Sequence, residues 1–177
     1  MNVNIKRLSP ESRTPTYAHA TDAGFDLVAA ADVIIEPGET ACVPTGLAFE
    51  IPEGYEMQIR PRSGITLKTP LRVQLGTVDA GYRGEVGVIV DNINRDTDVE
   101  KDFLIDISDN IVSAHDYLGA WDHFAKGSYL IRKGERIAQA VIKPIEQAVF
   151  TEVDTLGDSD RGAGGFGSSG VVAKEGE

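Results

Sequence analysis

The sequence is poor in cysteine, in positive charge and in long apolar runs. Cys42 is its only cysteine, so no disulfide can form within the chain, and we expect a reducing, cytoplasmic compartment. Seventeen lysines and arginines against 28 acidic residues give a net charge of −11, which argues against a nucleic-acid or membrane-surface partner. No apolar run is long enough to cross a membrane and no apolar signal segment opens the chain, so neither insertion nor secretion is expected.

The few basic residues are clustered along the chain. They stand in three places: Arg60, Arg62, Lys68 and Arg72; Arg132, Lys133 and Arg136; and Arg161. An acidic protein with local arginine groups suits a small anionic ligand better than a polymer, because the guanidinium fork pairs well with phosphate oxygens. Ser63 and Gly64 directly follow Arg62 and add a hydroxyl and backbone amides, so residues 62–64 are a candidate anion grip.

Short segments with β-type alternation recur about every eight to twelve residues, separated by turn residues. This spacing predicts an all-β sandwich or barrel in a single domain followed by a tail. Residues 63–68 are a candidate short helical turn, and residues 149–153 suggest a last strand. The β rhythm breaks over about residues 94–127, where apolar side chains at helical spacing predict a helix over 113–125 with Ser113 as its N-cap.

Two alternating apolar runs, residues 71–75 and 86–90, flank the turn residues Asp79-Ala80-Gly81. Gly81 is free to take a positive φ. We therefore predict a β-hairpin with Asp79 near its tip and Tyr82 just behind it.

Residues 157–170 are rich in glycine and serine and cannot bury a core, so we expect them to be disordered without a ligand. Arg161 and Phe166 are unusual in a simple linker. Arg161 offers a fork for phosphate, Phe166 offers a stacking face, and glycines allow the backbone to approach phosphate oxygens closely. This arm is a candidate lid over a nucleotide.

Five segments in this order resemble the five ordered motifs of the trimeric dUTP pyrophosphatases, or dUTPases. They are residues 23–27 (AGFDL), 61–64 (PRSG), 76–84 (GTVDAGYRG), 136–139 (RIAQ) and 161–170 (RGAGGFGSSG). The resemblance implies a β jelly roll over residues 1–156, a flexible arm over 157–177, and a homotrimer with active sites between subunits. It also implies hydrolysis of dUTP to dUMP and pyrophosphate, with Mg²⁺ bridging the phosphates.

The resemblance also implies a role for each motif residue. Asp79 would activate the water that attacks the α-phosphorus, Tyr82 would pack against the deoxyribose, and Asp26 would orient waters around the metal. Nucleotide contacts are implied for Arg62, Ser63, Gly64 and Gln139 at the phosphates; Arg136 elsewhere in the substrate site; Gly76 and Val78 at uracil, through the backbone of residues 74–82; Arg161, Gly167, Ser168 and Ser169 at the γ-phosphate; and Phe166 stacked on uracil.

Three departures from the family pattern stand out. Val73 occupies a position where many members have asparagine, so base recognition should depend on backbone groups, and Ser169 replaces the usual threonine. The segment 94–127 is longer than in the shortest members and resembles the extra segment of some phage dUTPases that also bind regulatory proteins. A regulatory partner at this insert, and the host cytosol as the location of a phage-encoded enzyme, follow as expectations.

Two other functions stay open from the sequence. One is dCTP deaminase or its bifunctional relative, which shares this fold but would be expected to place a glutamate near the base. The other is a dUTPase-like scaffold kept as a regulatory binding protein.

Overall fold

The computed structural model describes residues 1–95, 99–119 and 122–165. Contacts divide the chain into two compact units, Met1–Glu146 and Gln147–Glu177. The described part of the first unit contains the strands β1 (Asn4–Arg7), β2 (Phe25–Val28), β3 (Val33–Ile35), β4 (Thr40–Pro44), β5 (Leu47–Glu50), β6 (Tyr55–Pro61), β7 (Leu71–Val73), β8 (Gly76–Asp79), β9 (Gly87–Asn92), β10 (Glu100–Lys101), β11 (Phe103–Asp106), β12 (Ile111–Ser113), β13 (Phe124–Ala125), β14 (Tyr129–Ile131) and β15 (Arg136–Pro144), with the helices α1 (Ser63–Lys68) and α2 (Ala114–Leu118).

Three sheets of three or four strands and two of two strands make up the described part of the first unit. Their strand orders are β2-β15-β6-β8, β12-β11-β14-β3 and β4-β9-β7, while β1 pairs with β5 and β10 with β13. Neighbouring strands often come from distant parts of the chain, as in the pair β2–β15, which is the connectivity of a jelly-roll-like sandwich. All three sheets contribute to one apolar core that includes Leu27, Ile35, Met57 and Val88. The predicted all-β fold is confirmed.

The sheet β2-β15-β6-β8 has one apolar and one polar face. Over residues 25–28, 56–60, 77–79 and 138–140, buried side chains alternate with more exposed ones, and those facing the core are Phe25, Leu27, Met57, Ile59, Val78, Ala138 and Ala140. The opposite face carries Asp26, Glu56, Gln58, Arg60, Asp79 and Gln139. This polar face carries several of the predicted site residues.

The predicted pairing of the two flanking runs is right, but the predicted position of Asp79 at the tip of a hairpin is wrong. Strands β7 and β9 pair as expected, with Val73 opposite Val90. Residues 76–79, however, form the separate strand β8, which pairs with β6 in another sheet because its Val78 side chain enters the core. Asp79 therefore ends an edge strand. A turn does follow it, with the Tyr82 amide 3.0 Å from the Asp79 carbonyl, but Gly81 does not have a positive φ.

Helix α1 confirms the predicted turn at residues 63–68. The second helix is much shorter than the predicted span of 113–125. Ser113 is its N-cap, as predicted, and accepts a hydrogen bond from the Asp116 amide. Gly119 ends the helix in the left-handed region at φ 69°, and Phe124 lies in β13. Glycine C-caps of this kind stop a helix whatever the spacing of the apolar residues beyond.

Part of the insert pairs with strands that lie outside it. Its strand β11 pairs in parallel with β14, which in turn pairs with β3, and Leu104 of β11 is fully buried. Asn92, itself buried, donates to the carbonyls of Ile35 and Gly127, both at 2.9 Å, and so joins the end of the insert to β3. The break in the β pattern over residues 94–127 therefore marks a change from one sheet to another, and the insert is not a separate loop.

Asp106 organises the β11–β12 turn and gives a stability prediction. Its carboxylate accepts the amides of Ser108 and Asn110 at 2.9 Å and lies 3.3 Å from the Arg132 guanidinium. Burial alone would raise the pKa of Asp106, but these hydrogen bonds and the Arg132 charge outweigh it and hold the pKa below its ordinary 3.8. We expect Asp106→Asn to lower the free energy of unfolding by about 1–3 kcal/mol near neutral pH.

The same pKa shift sets the pH dependence of this prediction. Because the folded-state pKa of Asp106 is lowered, the contribution of its carboxylate is present above 3.8 and is lost as the pH falls through the folded value. Urea titrations should show the full difference from wild type at about pH 6 and a smaller one at about pH 3. The exposed Asp102→Asn is the matched control. An equal loss for Asp102→Asn, or a difference that grows in acid, would contradict the assignment.

The predicted last strand at residues 149–153 is wrong. Residues 145–165 contain no strand, and the side chains of Val149 and Phe150 are 95% and 94% exposed. Alternation alone cannot make a strand without a partner edge to pair with. Within the described residues, no helix is long and apolar enough to cross a bilayer.

Candidate active site

Asp26, Gln139 and Arg60 form one row across the polar face of the sheet β2-β15-β6-β8. Gln139 of β15 lies opposite Asp26 of β2 on one side and opposite Arg60 of β6 on the other. Residues in register on adjacent strands share a face, so their side chains project together. Arg60 was only one member of a basic group in the sequence. The alternation of Met57 and Ile59 in the sequence already predicts that Arg60 faces away from the core. That Arg60 lies beside Gln139 and Asp26 depends on strand register.

A β-bulge brings Arg136 to the same face. Arg136 and Gln139 are three positions apart, so regular alternation would point them to opposite sides. The pairing with β2 slips between Arg136 and Ala138, which leaves Ile137 as the extra residue and sets Arg136 opposite Val28. Ile137 and Ala138 are both buried. Two successive buried residues between polar ones were the available sequence signal for this bulge.

Asp26 is held between two arginines from distant parts of the chain. Its two carboxylate oxygens each lie 3.1 Å from a guanidinium nitrogen, one from Arg62 and one from Arg136. Arg62 also reaches the Arg136 carbonyl oxygen at 3.4 Å. The Asp26 side chain is 16% exposed and that of Arg136 is 58% exposed, so one carboxylate is sheltered while a guanidinium faces solvent. This cluster concentrates positive charge at one end of the polar face.

Helix α1 begins beside this cluster. Arg62 is its N-cap in an extended conformation, and helical hydrogen bonding starts with the Thr66 amide, 3.1 Å from the Arg62 carbonyl. The amides of Ser63 and Gly64 precede that ladder and are available to a ligand. A Cβ on Gly64 would meet nothing within 4 Å, and its φ is not positive. The fold of this chain therefore does not itself require a glycine there.

Asp79 and Tyr82 lie at the other edge of the same sheet. Asp79 is exposed at the end of β8 and opposite Glu56 of β6. The Tyr82 hydroxyl donates to the Glu85 carbonyl at 2.9 Å, and its ring lies over Gly84, where an added Cβ would come within 2.6 Å of the ring carbon Cζ. The hydrogen bond to Glu85 and the contact with Gly84 thus fix the Tyr82 ring. Tyr82 as a whole is 47% exposed.

The two groups of predicted site residues are far apart within one chain. Asp79 shares a row with Glu56, and Asp26 shares a row with Arg60, four residues further along β6. Three strand spacings and this offset place Asp79 and Asp26 about 20 Å apart. Gly76 and Val78, which precede Asp79 in β8, lie with it at the distant edge.

Among the five predicted site residues of the arm, Arg161 is the one that falls within the described part of the chain. Its Nε donates to the Gly164 carbonyl at 2.8 Å, and the Gly164 amide returns a bond to the Arg161 carbonyl at 3.0 Å. Phe166, Gly167, Ser168 and Ser169 lie outside the described residues, so their predicted contacts stay predictions, as does the expected disorder of the arm.

The family model of the dUTPases matches residues 11–103 and 123–170 of this chain. The chain belongs to the dUTPase family. The unmatched residues 104–122 lie inside the predicted insert of 94–127. Relatives in the family include the deoxyuridine 5'-triphosphate nucleotidohydrolase of Thermobifida fusca, 44% identical over 96% of this chain and 79% of its own length. That of Nautilia profundicola is 42% identical over 96% and 99%, respectively.

Solved dUTPase structures agree with the fold. The G164S mutant of the Staphylococcus bacteriophage 80alpha dUTPase, determined with dUpNHpp, has a TM-score of 0.89 and 39% identity over 96% of this chain and 99% of that one. The dUTPase of phage phi11 of S. aureus, described for its species-specific insert, has a TM-score of 0.81 and 32% identity over 88% and 98%. The resemblance drawn from the five motifs is therefore confirmed at the level of family and fold.

Proposed function

We propose that this protein hydrolyses dUTP to dUMP and pyrophosphate by attack of water on the α-phosphorus. The observation that carries the proposal is the cluster of Asp26, Arg62 and Arg136, in which three segments far apart in sequence converge on one carboxylate. Each comes from a different dUTPase motif. Phosphoryl transfer depends on positioning and charge neutralisation more than on covalent chemistry, and this cluster offers both.

The cluster and its surroundings suit a triphosphate. The guanidiniums of Arg62 and Arg136 neutralise phosphate charge, and the Gln139 amide, two rows from Arg136 on the same face, donates a neutral hydrogen bond. The backbone amides of Ser63 and Gly64 provide further donors beside Arg62. The open space at Gly64 lets a phosphate oxygen approach the backbone closely, which a side chain would hinder.

The residues present also fit a magnesium ion carried by the substrate. No group of three or more His, Cys, Asp or Glu side chains stands ready to bind a metal within the described residues. Mg²⁺ usually keeps several waters and is held by one or two carboxylates together with substrate phosphates. Asp26, a single carboxylate beside two phosphate-binding arginines, fits contact through such waters. When bound, Mg²⁺ supplies charge neutralisation at the phosphate oxygens.

Asp79 serves as the general base in this proposal. It is exposed at the end of an edge strand and makes no side-chain hydrogen bond within the described residues, so it is free to accept a proton from water. Tyr82, held over Gly84, presents the face against which a deoxyribose packs without room for a 2′-hydroxyl.

The edge position of β8 provides the groups that recognise uracil. The strand pairs with β6 on one side only, so alternate residues direct backbone N–H and C=O groups away from the sheet. A neighbouring N–H and C=O match the adjacent O4 acceptor and N3–H donor of uracil, whereas cytosine presents the reverse pair. Cytosine would leave polar groups unpaired, which is the stronger form of discrimination. The side chain of Val73 is buried in the core and takes no part.

The fixed Tyr82 ring gives a prediction about sugar selectivity. A methyl group at Gly84 collides with the ring, so Gly84→Ala should displace Tyr82 and open space for a 2′-hydroxyl. We expect the ratio of kcat/KM for dUTP over UTP to fall about 10–100-fold, the range of a lost steric or single-group discrimination. An unchanged ratio in Gly84→Ala would reject the role given to Tyr82.

A complete site in this proposal requires more than one chain. A carboxylate that reaches a metal through one water lies roughly 5 Å from it, by the usual Mg–O and hydrogen-bond lengths. Asp79 acts on the same phosphates, so the separation of about 20 Å from Asp26 is too large for one chain to supply both. A homotrimer with sites between subunits would bring Asp79 of one chain to Asp26 of another.

The arm of residues 157–177 then closes over a neighbour's site, while residues 1–156 form the β domain. In this arrangement Phe166 stacks on uracil, and the γ-phosphate is bound by Arg161, Gly167, Ser168 and Ser169.

Residues 94–127 are proposed as the surface for a regulatory protein. Residues 104–122, which the family model does not match, lie within this segment. An open cavity of about 550 Å³ is lined there by Phe103, Ile105 and Ile111, with Arg95 and Lys126 also on its wall. Ile111 is 72% exposed and lies beside Phe103 and Ile105 on this cavity, so the insert presents adjacent apolar side chains that a partner could cover.

A nucleotide panel tests the proposed reaction. We expect pyrophosphate release from dUTP with Mg²⁺, little from UTP, dCTP or dTTP, and strong loss when the metal is chelated. Ammonia release from dCTP would instead favour the deaminase. Folded protein that turns over none of the four nucleotides would favour the regulatory binding protein.

A further inference from the structure

The insert contacts the turn that leads into Arg136. Asp32, which follows β2, accepts a hydrogen bond from the hydroxyl of Tyr117 in α2 and another from the Lys133 amide at 2.5 Å. One carboxylate thus joins the helix of the insert to residues 132–135, the turn between β14 and β15. We call this arrangement of Tyr117, Asp32 and the turn the clamp.

Other bonds make the turn a rigid unit. Its Glu135 carboxylate accepts the Arg132 amide at 2.8 Å, which closes the turn on itself. Ala29 brackets it through two backbone bonds, accepting from the Gly134 amide at 2.8 Å and donating to the Glu135 carbonyl at 2.9 Å. The insert makes a second contact through Asp106, whose carboxylate lies 3.3 Å from the Arg132 guanidinium. A displacement of the clamp is therefore passed to the whole turn.

The residue that follows this turn is part of the candidate site. The Arg136 guanidinium contacts Asp26, and the Arg136 carbonyl oxygen accepts from Arg62. The position of the turn therefore bears on three site groups at once. Asp26 in β2 is joined to Asp32 by the short segment 27–31. The backbone therefore connects the clamp to the cluster in two places, through this segment to Asp26 and through the 132–135 turn to Arg136.

The protonation states needed for the clamp are favoured at neutral pH. Burial alone would raise the pKa of Asp32, but the bonds from the Lys133 amide and the Tyr117 hydroxyl outweigh it and lower the pKa. Burial and the Asp32 carboxylate raise the pKa of Tyr117 to about 12. Tyr117 stays a neutral donor, and Asp32 stays an ionised acceptor.

We propose that Tyr117 is a positioning residue for the active site and acts through Asp32 and the 132–135 turn to set the place of Arg136. This inference rests on the proposed dUTP hydrolysis. It gives the insert a role inside the enzyme: its helix holds one end of the phosphate-binding cluster, in addition to any partner that the insert binds.

Tyr117→Phe tests the clamp, since it removes one hydroxyl and leaves the Lys133 bond to Asp32. We expect kcat for dUTP to fall about three- to tenfold with a smaller change in KM, the size of effect that the net contribution of one typical hydrogen bond gives when it is lost. Tyr17→Phe is the matched control, because the Tyr17 ring contacts Phe25 while its hydroxyl makes no hydrogen bond within the described residues. Its kcat should equal that of wild type.

A double-mutant cycle separates positioning of Arg136 from a general structural loss. In an Arg136→Lys background, Tyr117→Phe should cause no further fall in kcat, because the group it positions is already altered. Equal multiplicative losses in both backgrounds, or a Tyr117→Phe enzyme with wild-type kcat, would overturn the proposal.

A measurement without substrate keeps this result distinct from failure of the proposed function. The NMR signal of the Arg136 Nε–H should shift and exchange faster with water in Tyr117→Phe and not in Tyr17→Phe. If wild type turns over no dUTP but the Arg136 signal still changes in Tyr117→Phe, the clamp is supported and the proposed reaction fails. If wild type is active and the signal is unchanged, the clamp fails alone.

Discussion

Replacing Asp79 with asparagine should lower kcat for dUTP by about 10²–10⁴, the usual contribution of a general base. Asparagine preserves size and hydrogen bonding but cannot take a proton. Asp79 is exposed at the end of β8 and has no packing role in the described chain, so stability and assembly should not change. The measurements are pyrophosphate release with dUTP, the dissociation constant for dUpNHpp and the mass of the assembly in solution.

Asp122→Asn is the matched control for this experiment. Asp122 is an exposed aspartate of the insert, and its carboxylate accepts only its neighbour's amide, from His123, within the described residues. We expect wild-type turnover from this variant. Near-wild-type kcat in Asp79→Asn would reject Asp79 as the base, whereas weak dUpNHpp binding in that variant would mean that Asp79 holds the nucleotide and not the proton.

Mixing two inactive variants should restore activity. One chain carries Asp79→Asn and the other carries Asp26→Asn, so each homo-oligomer lacks one essential carboxylate. Because Asp79 and Asp26 lie about 20 Å apart in one chain, the two carboxylates of one site should come from different chains. In randomly mixed trimers, about a quarter of the sites then pair an intact Asp79 with an intact Asp26, given closed cyclic symmetry.

The experiment requires unfolding and refolding the two variants together, with hybrid assemblies verified by native mass spectrometry. Each variant refolded alone and then mixed without exchange is the control and should stay nearly inactive. If each chain built its own site, every site in the hybrids would still lack one carboxylate. Verified hybrids without recovered turnover would therefore reject the shared site, even if wild type hydrolyses dUTP.

The most predictable parts of this protein are those with local causes. Helix α1 and the Ser113 N-cap were predicted because capping and turn residues act within a few positions. The pairing of β7 with β9 followed from alternation on both sides of one loop. Two of the errors have a shared origin, because strand β8 and the unpaired residues 149–153 each depend on which strand edge meets the segment in space. The early end of α2 has a local cause, the C-cap at Gly119, which the spacing of apolar residues concealed.

The candidate site divides in the same way. The family, the all-β class and the residue types able to bind phosphate can be predicted from the sequence, because five ordered motifs and period-two alternation lie along the chain. The folded chain was needed to show that a bulge at Ile137 turns Arg136 toward Asp26, that Arg60 shares the row of Asp26 and Gln139, and that the insert contacts the turn before Arg136. It also placed Asp79 at the far edge of the sheet. Register, bulges and sheet order arise from pairing between strands distant in sequence, so no local pattern encodes them.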